Sequence, residues 1–208
     1  MRLTVFGATG RVGHTLVHAA LEQGHEVTAY VRDPARLKQK HGRLFVRKGS
    51  LEDTAAVAEA VRGSEVIISA LGARDVTHAV TLVTDATRTL TSAMKAEGVQ
   101  RLVVVGAAGL LPHPSGGLVG EHGLPPFLRH AFEDHRGAFQ VLQESGLDWV
   151  VVCPPVMPSG VHTGKYRTAV EALPTGGRQV YAEDVAHFTL SVATGGEHHR
   201  VRLGIVGE

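Results

Sequence analysis

The stretch VFGATGRVGHTLVHAALEQGHEVTAYVRDPARL, residues 5 to 37, holds Gly7, Gly10 and Gly13 in front of an amphipathic run and ends in Arg32, Asp33 and Arg36. Glycines spaced G-x-x-G-x-x-G between an apolar strand and a helix leave the backbone bare enough to approach an anion. The helix amino terminus adds free N–H donors and partial positive charge. A diphosphate suits such a turn on one side and the arginines suit it on the other. A tight strand-to-helix turn with no ligand is the alternative reading of the same glycines.

The second strand ends near Val31, where a dinucleotide site selects its adenosine ribose. Arg32 and Asp33 argue opposite ways there, since an acid accepts from a 2′-hydroxyl whereas arginine pairs with a 2′-phosphate. Asp33 stands before Pro34 and an expected helix from Ala35 to Lys40, which makes it a good N-cap with proline at the first helical position. That role leaves Arg32 to face the phosphate. Arg36 either joins it or is a solvated surface charge. The reading favours NADPH over NADH.

These residues need a scaffold, and the chain supplies the pattern of one. Apolar runs suited to strands buried on both faces recur at Leu3 to Phe6, Val27 to Val31, Leu44 to Val46, Val66 to Leu71, Leu102 to Val105, Trp149 to Cys153 and Val201 to Val206. Between them, apolar residues at three- and four-residue spacing mark helices at Val12 to Gln23, Thr54 to Val61, Val80 to Ala96, Ala131 to Glu144 and Asp184 to Ala193. Gly24, Gly63, Gly98 and Gly146 sit where helix stops belong. The alternation predicts an α/β fold: a Rossmann-like, doubly wound parallel sheet with helices on both faces, one domain spanning 1–208. Two loops rich in glycine or proline, about 107–126 and 154–166, leave the carboxyl ends of strands and are the expected substrate walls.

Composition narrows the partners. With 208 residues the chain has room for one substantial core, and a net charge of +1 offers no field to hold nucleic acid or an anionic membrane. A small molecule is the expected partner. One cysteine, no apolar run long enough to span a bilayer and no secretory pattern in residues 1 to 25 fit a reducing cytosol.

Carbonyl reduction needs a group to protonate the developing alkoxide, a contribution of about 10²- to 10⁴-fold. Short-chain dehydrogenases supply a tyrosine with a lysine four residues later. Here Tyr30, Tyr166 and Tyr181 are followed at that distance by Pro34, Val170 and Val185, and the fifth strand is followed by Gly106-Ala107-Ala108-Gly109 with no hydroxyl. Acceptors that delocalise the incoming charge or take their proton from water remain.

The motifs FGATGRVG, VTAYVRDPARL, VIISALGARD, AMKAEGVQRLVVV, EDHRGAFQVLQESGLDWVVVCPP and TGKY resemble the flavin reductase and biliverdin reductase B family. That family lies within the atypical short-chain dehydrogenases and is close to NmrA-like proteins. The resemblance runs from residue 1 to about 206. It implies an NADPH-dependent reductase of free flavins (FMN, riboflavin, FAD) or of a similar conjugated acceptor such as biliverdin, a monomer or weak homodimer; the alternative is a non-catalytic NADP(H)-binding redox sensor of NmrA-like type.

By position the resemblance assigns Gly7, Thr9, Gly10, Arg11 and Val12 to the diphosphate, with Ala8 and Gly13 completing the turn. Arg32 and Arg36 fall to the 2′-phosphate, and Leu71, Gly72 and Arg74 to the ribose side. Pro154 and Pro155 are expected to flank the nicotinamide, and His135 to lie near its ribose. Three departures stand out: Ser50, beside Leu51, replaces the family's acid in the adenine loop, Ala107 its active-site serine, and Val156 the histidine after the proline pair. They weaken biliverdin more than flavin as acceptor, because flavin reduction asks mainly for orientation, stacking and exclusion of water.

Other signals have plainer readings. His14 and His18 share a helix face at metal-binding spacing but lack the HExxH glutamate and an evident third ligand, so solvated histidines are expected and no metal. His198-His199 reads as an exposed turn, and Trp149 as core. Cys153 reads as a buried thiol, with a minor redox role as the alternative. Phe127 and Phe132 with Leu110 and Leu111 form either an apolar wall for a stacked flavin or plain core.

Overall fold

The computed structural model describes residues 1–73 and 75–208. Its centre is an eight-stranded sheet in the order β3-β2-β1-β4-β5-β6-β8-β7. The strands are β1 Arg2–Phe6, β2 Glu26–Val31, β3 Leu44–Lys48, β4 Val66–Ser69, β5 Arg101–Val105, β6 Asp148–Cys153, β7 Tyr166–Val170 and β8 Val201–Gly207. All neighbours pair in parallel except β7 with β8. The helices are α1 Arg11–Glu22, α2 Thr54–Val61, α3 Leu82–Glu97, α4 Arg129–Glu144 and α5 Ala182–Gly195.

Alternate residues of each strand feed two cores. Leu3 and Val5 face α1 and α5 with Val27, Ile68, Val103 and Val150. Phe6, Ile67, Leu102, Val104 and Trp149 face α2, α3 and α4. Strands covered on both faces explain the near-continuous apolar runs in the sequence.

Several expectations change. β3 closes one end of the sheet, so only Leu44 is half-buried while Phe45 and Val46 stay exposed, and the strand is not buried on both faces. β4 stops at Ser69 rather than Leu71, freeing residues 70–73 as a loop. The helix expected from Ala35 to Lys40 is a single 3₁₀ turn, Pro34–Arg36, in which Asp33 accepts from Ala35 N–H at 3.1 Å. It ends because Leu37 turns extended and enters the core beside α1. β7 was not expected: YRTAV sits at the other sheet edge with three residues exposed, so it carries no buried run, and its antiparallel pairing makes the sheet mixed. The four glycine stops adopt positive φ, 86°, 74°, 72° and 72°.

One buried carboxylate fixes the helices nearest the carboxyl end of β4. Asp134 on α4, 3% exposed, accepts from Val83 N–H at 2.9 Å and Thr84 N–H at 2.8 Å, capping α3 from outside its own chain segment. The Thr84 hydroxyl returns a bond to the Asp134 carbonyl at 2.7 Å. Gly137 makes the crossing close, since a Cβ there would stand 2.5 Å from Thr84 Oγ1. Asp134→Ala leaves two buried N–H groups without acceptors and is expected to lower unfolding free energy by about 2 kcal/mol or more, read from urea denaturation. A loss within about 0.5 kcal/mol would contradict this account.

Candidate active site

At the end of β1 the chain turns into α1 through Gly7, Ala8, Thr9 and Gly10. Gly7 has φ +82°, and a Cβ on it would lie 2.5 Å from the Ala70 carbonyl oxygen. A Cβ on Gly13 would lie 2.2 Å from the Gly7 carbonyl oxygen. Both glycines are therefore demanded by the protein's own packing, strand against loop and helix against turn, rather than by the approach of a ligand. Gly10 is less crowded but still tight, its Cβ position 3.2 Å from the Gly7 carbonyl oxygen. It caps α1 with no side-chain hydrogen bond, and the first turn of the helix carries no acid. The amino end of α1 thus presents unpaired backbone donors, the arrangement that receives phosphate oxygens.

The turn forms one wall of a cavity of about 520 Å³. Thr9, Gly10, Arg11 and Val12 line it, as do Ala70, Leu71, Gly72 and Ala73 beyond β4 and Val76 in the following loop. Val83 on α3, Val105 and Gly106 at the end of β5, Ala131, Asp134 and His135 on α4, and Met157 complete it. It sits between the carboxyl ends of β1 and β4, where the strand order reverses. That crevice is where open α/β sheets bind ligands.

The predicted residues fall as follows. Thr9, Gly10, Arg11, Val12, Leu71, Gly72 and His135 meet at the cavity, and Ala8 lies buried beneath the turn. Pairing of Phe6 with Tyr30 brings Arg32, two residues further on, beside the glycine turn. Arg32 and Arg36 are exposed and make no ion pair among the described residues. Ser50 and Leu51 follow β3; the Ser50 carbonyl accepts from the Tyr30 hydroxyl at 2.8 Å, and Leu51 packs on the α2 side. Arg74 lies outside the described residues. At the far end, Gly106 and Met157 form the wall. Their neighbours stand behind it: Ala108 N–H donates to the Pro154 carbonyl at 2.8 Å beside Ala107, Pro154 is buried, Pro155 is half-buried, and exposed Val156 bridges to Gln179.

The loop carrying Met157 is pinned at both ends. The Arg11 guanidinium, assigned by resemblance to the diphosphate, donates to the Met157 carbonyl at 2.7 Å across the cavity mouth. Asp184, 1% exposed, accepts from Thr163 N–H and Gly164 N–H at 2.8 and 2.9 Å, from the Thr163 hydroxyl at 2.7 Å, and holds His162 Nδ1 at 2.8 Å. Burial alone would raise its pKa; the hydrogen bonds from Thr163, Gly164 and His162 outweigh it and hold the carboxyl below its ordinary value.

Proton donors are scarce. Tyr30 is committed to the Ser50 carbonyl, Tyr166 packs on Phe188, and Tyr181 precedes α5; all three lie away from the cavity wall. Asp134 is occupied in capping α3. His135 is the remaining titratable group besides Arg11 among the described lining residues. Desolvation by its surroundings lowers its pKa, with Asp134 opposing. Phe132, Leu110 and Leu111 are core, 6%, 2% and 1% exposed, so the apolar-wall reading fails for them; Phe127 alone stands free, at 70%. His18 pairs with Glu22 on the surface of α1 at 3.2 Å, and His199 with Asp148 at 2.9 Å.

A family model described as NAD(P)H-binding matches residues 7–195. The chain belongs to the NAD(P)H-binding family. It is 26% identical to the protein YwnB of Bacillus subtilis over 217 residues, 100% of this chain and 99% of that one. Among solved structures it resembles SP1627 of Streptococcus pneumoniae, named a "putative NADH-flavin reductase", at TM-score 0.84 and 25% identity over the whole of both chains. It shares its fold with ChuY of Escherichia coli, an anaerobilin reductase, at TM-score 0.83 and 22% identity, covering 100% of this chain and 97% of that one. The family resemblance read from the sequence agrees with these findings.

Of the lining residues that the sequence reading did not single out, Asp134 and Met157 carry the polar contacts that build the walls. Asp134 lay inside the EDHRGAF motif, next to His135, with nothing in the spacing to show its partner fifty residues away. In an NMR titration His135 is expected to take its second proton below the ordinary imidazole value of 6.5. Between that value and the folded pKa the unfolded chain binds more protons, so His135's contribution is complete above about pH 6.5 and fades as pH falls. A midpoint at or above 6.5 would contradict the desolvated placement.

Proposed function

We propose that the protein is an NADPH-dependent reductase that passes hydride to a free flavin or a similar flat conjugated acceptor. The observation that carries this reading is a glycine turn at the uncapped amino end of α1 beside a cavity whose described lining has no tyrosine and no free carboxyl to serve as acid. The bare Gly10, the uncapped α1 terminus and an unpaired Arg32 suit a diphosphate and a 2′-phosphate.

NADPH, when bound, supplies the hydride. The chain's own contribution is positional: α1 and Arg32 hold the two phosphate ends, and Leu71, Val105, Ala131 and Met157 line the cavity with apolar surface that excludes water. A neutral His135 offers a hydrogen bond rather than a charge. Acceptors that delocalise charge need no more, and the proton comes from solvent. A reducing cytosol, which keeps NADPH available, is the proposed setting; no helix among the described residues is long and apolar enough to cross a membrane.

Purified protein mixed with NADPH and riboflavin or FMN is expected to consume NADPH faster than the protein-free mixture. Cofactor binding without turnover across several flavins would instead favour the sensor reading, to which Ala107 and Ala108, lacking hydroxyls, are suited. Arg32→Ala is expected to weaken NADPH binding about tenfold or more while NADH changes less than about threefold, measured by calorimetry. Equal losses for both would remove the 2′-phosphate assignment.

A further inference from the structure

Residues 154–164 form the strap that carries Met157 into the cavity wall, and the segment leading into α5 holds it down. Val180 N–H donates to the Val156 carbonyl and Ala182 N–H to the Pro158 carbonyl, both at 3.1 Å. Glu183 accepts from Gly160 N–H, and Asp184 from Thr163 N–H and Gly164 N–H. A further attachment differs in kind. The imidazoles of His162 on the strap and His187 on α5 lie face to face, their centroids 3.6 Å apart and their planes 9° from parallel.

The charges around the stack decide how many protons it holds. Burial alone would raise the pKa of Asp184, but its hydrogen bonds hold the carboxyl below its ordinary value, so it is an ionised acceptor. His162 Nδ1, 2.8 Å from it, therefore carries the hydrogen of that contact. A proton on His162 is matched by the carboxylate. One on His187 is opposed, first by burial and then by a charge on His162 across the stack. From α1, His18 opposes it as well, while Glu22, 3.2 Å from His18, favours it, as does Asp184. Tyr166 at the start of β7 stays neutral here, its phenol pKa raised first by burial and then by Asp184. The pair is coupled: the first proton enters with a partner, and the second sets two like charges 3.6 Å apart.

We propose that the His162–His187 stack is an acid-released catch on the cavity wall, closed while the two rings share one proton or none and open when both are protonated. The backbone bonds of the strap do not titrate and Asp184 keeps its charge, so between about pH 7 and pH 5 the stack is the attachment that changes. Opening it loosens residues 162–164 on Asp184 and leaves Met157 held by Arg11 and the backbone bonds to Val180 and Ala182. With the folded pKa of His187 below 6.5, closure is complete above that value and is lost as pH falls. The inference stands on these contacts and not on the reductase reading.

Amide hydrogen exchange, corrected for intrinsic rate, tests it at about pH 7 and pH 5 on wild type, His187→Phe and His162→Phe. Wild-type protection at Gly160, Thr163 and Gly164 is expected to fall about fivefold or more with acid, while the amides of β5 keep theirs. His187→Phe retains a ring on which His162 can stack but cannot take the second proton, so its protection is expected to change less than about twofold. In NMR titrations the His187 ring is expected to protonate below 6.5 in wild type and at a higher pH in His162→Phe, a reading that does not depend on His187→Phe folding. Strap protection equal at the two pH values in wild type overturns the catch. So does an equal acid loss in His187→Phe, or a His187 midpoint that His162→Phe leaves unmoved.

Discussion

The close approach of the β1–α1 turn to the Ala70 carbonyl is the constraint from which the site follows. Gly7 meets that oxygen where a side chain would sit 2.5 Å away, and Gly13 lets α1 descend onto the Gly7 carbonyl. With those two contacts fixed, the amino end of α1 has one direction to point: into the gap between β1 and β4, where neighbouring strands send their connections to opposite faces. The uncapped donors at this end of α1 are a consequence of packing. Gly10 is the least crowded of the three, although its Cβ position too would press within 3.2 Å of the Gly7 carbonyl oxygen.

The opposite walls are tied down by buried carboxylates acting at a distance in sequence. Asp134 locks the start of α3 to α4, so Val83, Ala131 and His135 keep their places on one side. Asp184 gathers residues 162–164, and Glu183 accepts from Gly160 N–H at 3.0 Å, holding the Met157 loop on the other. A buried carboxylate that meets several N–H and hydroxyl donors has its desolvation offset and becomes specific about which backbone it will accept. Arg11 spans the two walls at the mouth by donating to the Met157 carbonyl, the same guanidinium that the proposed diphosphate would use.

The layering was legible because strands sheathed on both sides must be apolar throughout, and helices between them must carry one apolar stripe. Edges escaped that logic. YRTAV at β7 and LFVRK at β3 face solvent, so their sequences carry no such demand, and β7 went unseen. The glycine turn was readable in position but not in cause, since Ala70, the steric partner of Gly7, lies 63 residues further along the chain. The Ala35 to Lys40 helix gives way to a single 3₁₀ turn, after which Leu37 is extended and buried in the core, a tertiary contact that local spacing does not show. Phe127 and Phe132, alike on paper, part company in the fold: Phe132 is buried against Gly120, while Phe127 stays 70% exposed.

Cys153 ends β6 with none of its surface exposed, and burial pushes its thiol pKa far up. A thiol in that state neither ionises nor meets peroxide or a disulfide partner while the fold is intact. Since it is the chain's one cysteine, thiol–disulfide chemistry has no handle on the folded protein. The same seclusion makes the sulfur a built-in reporter: alkylating reagents reach it at the rate at which the sheet opens, timing the molecule's deepest fluctuation without any added label.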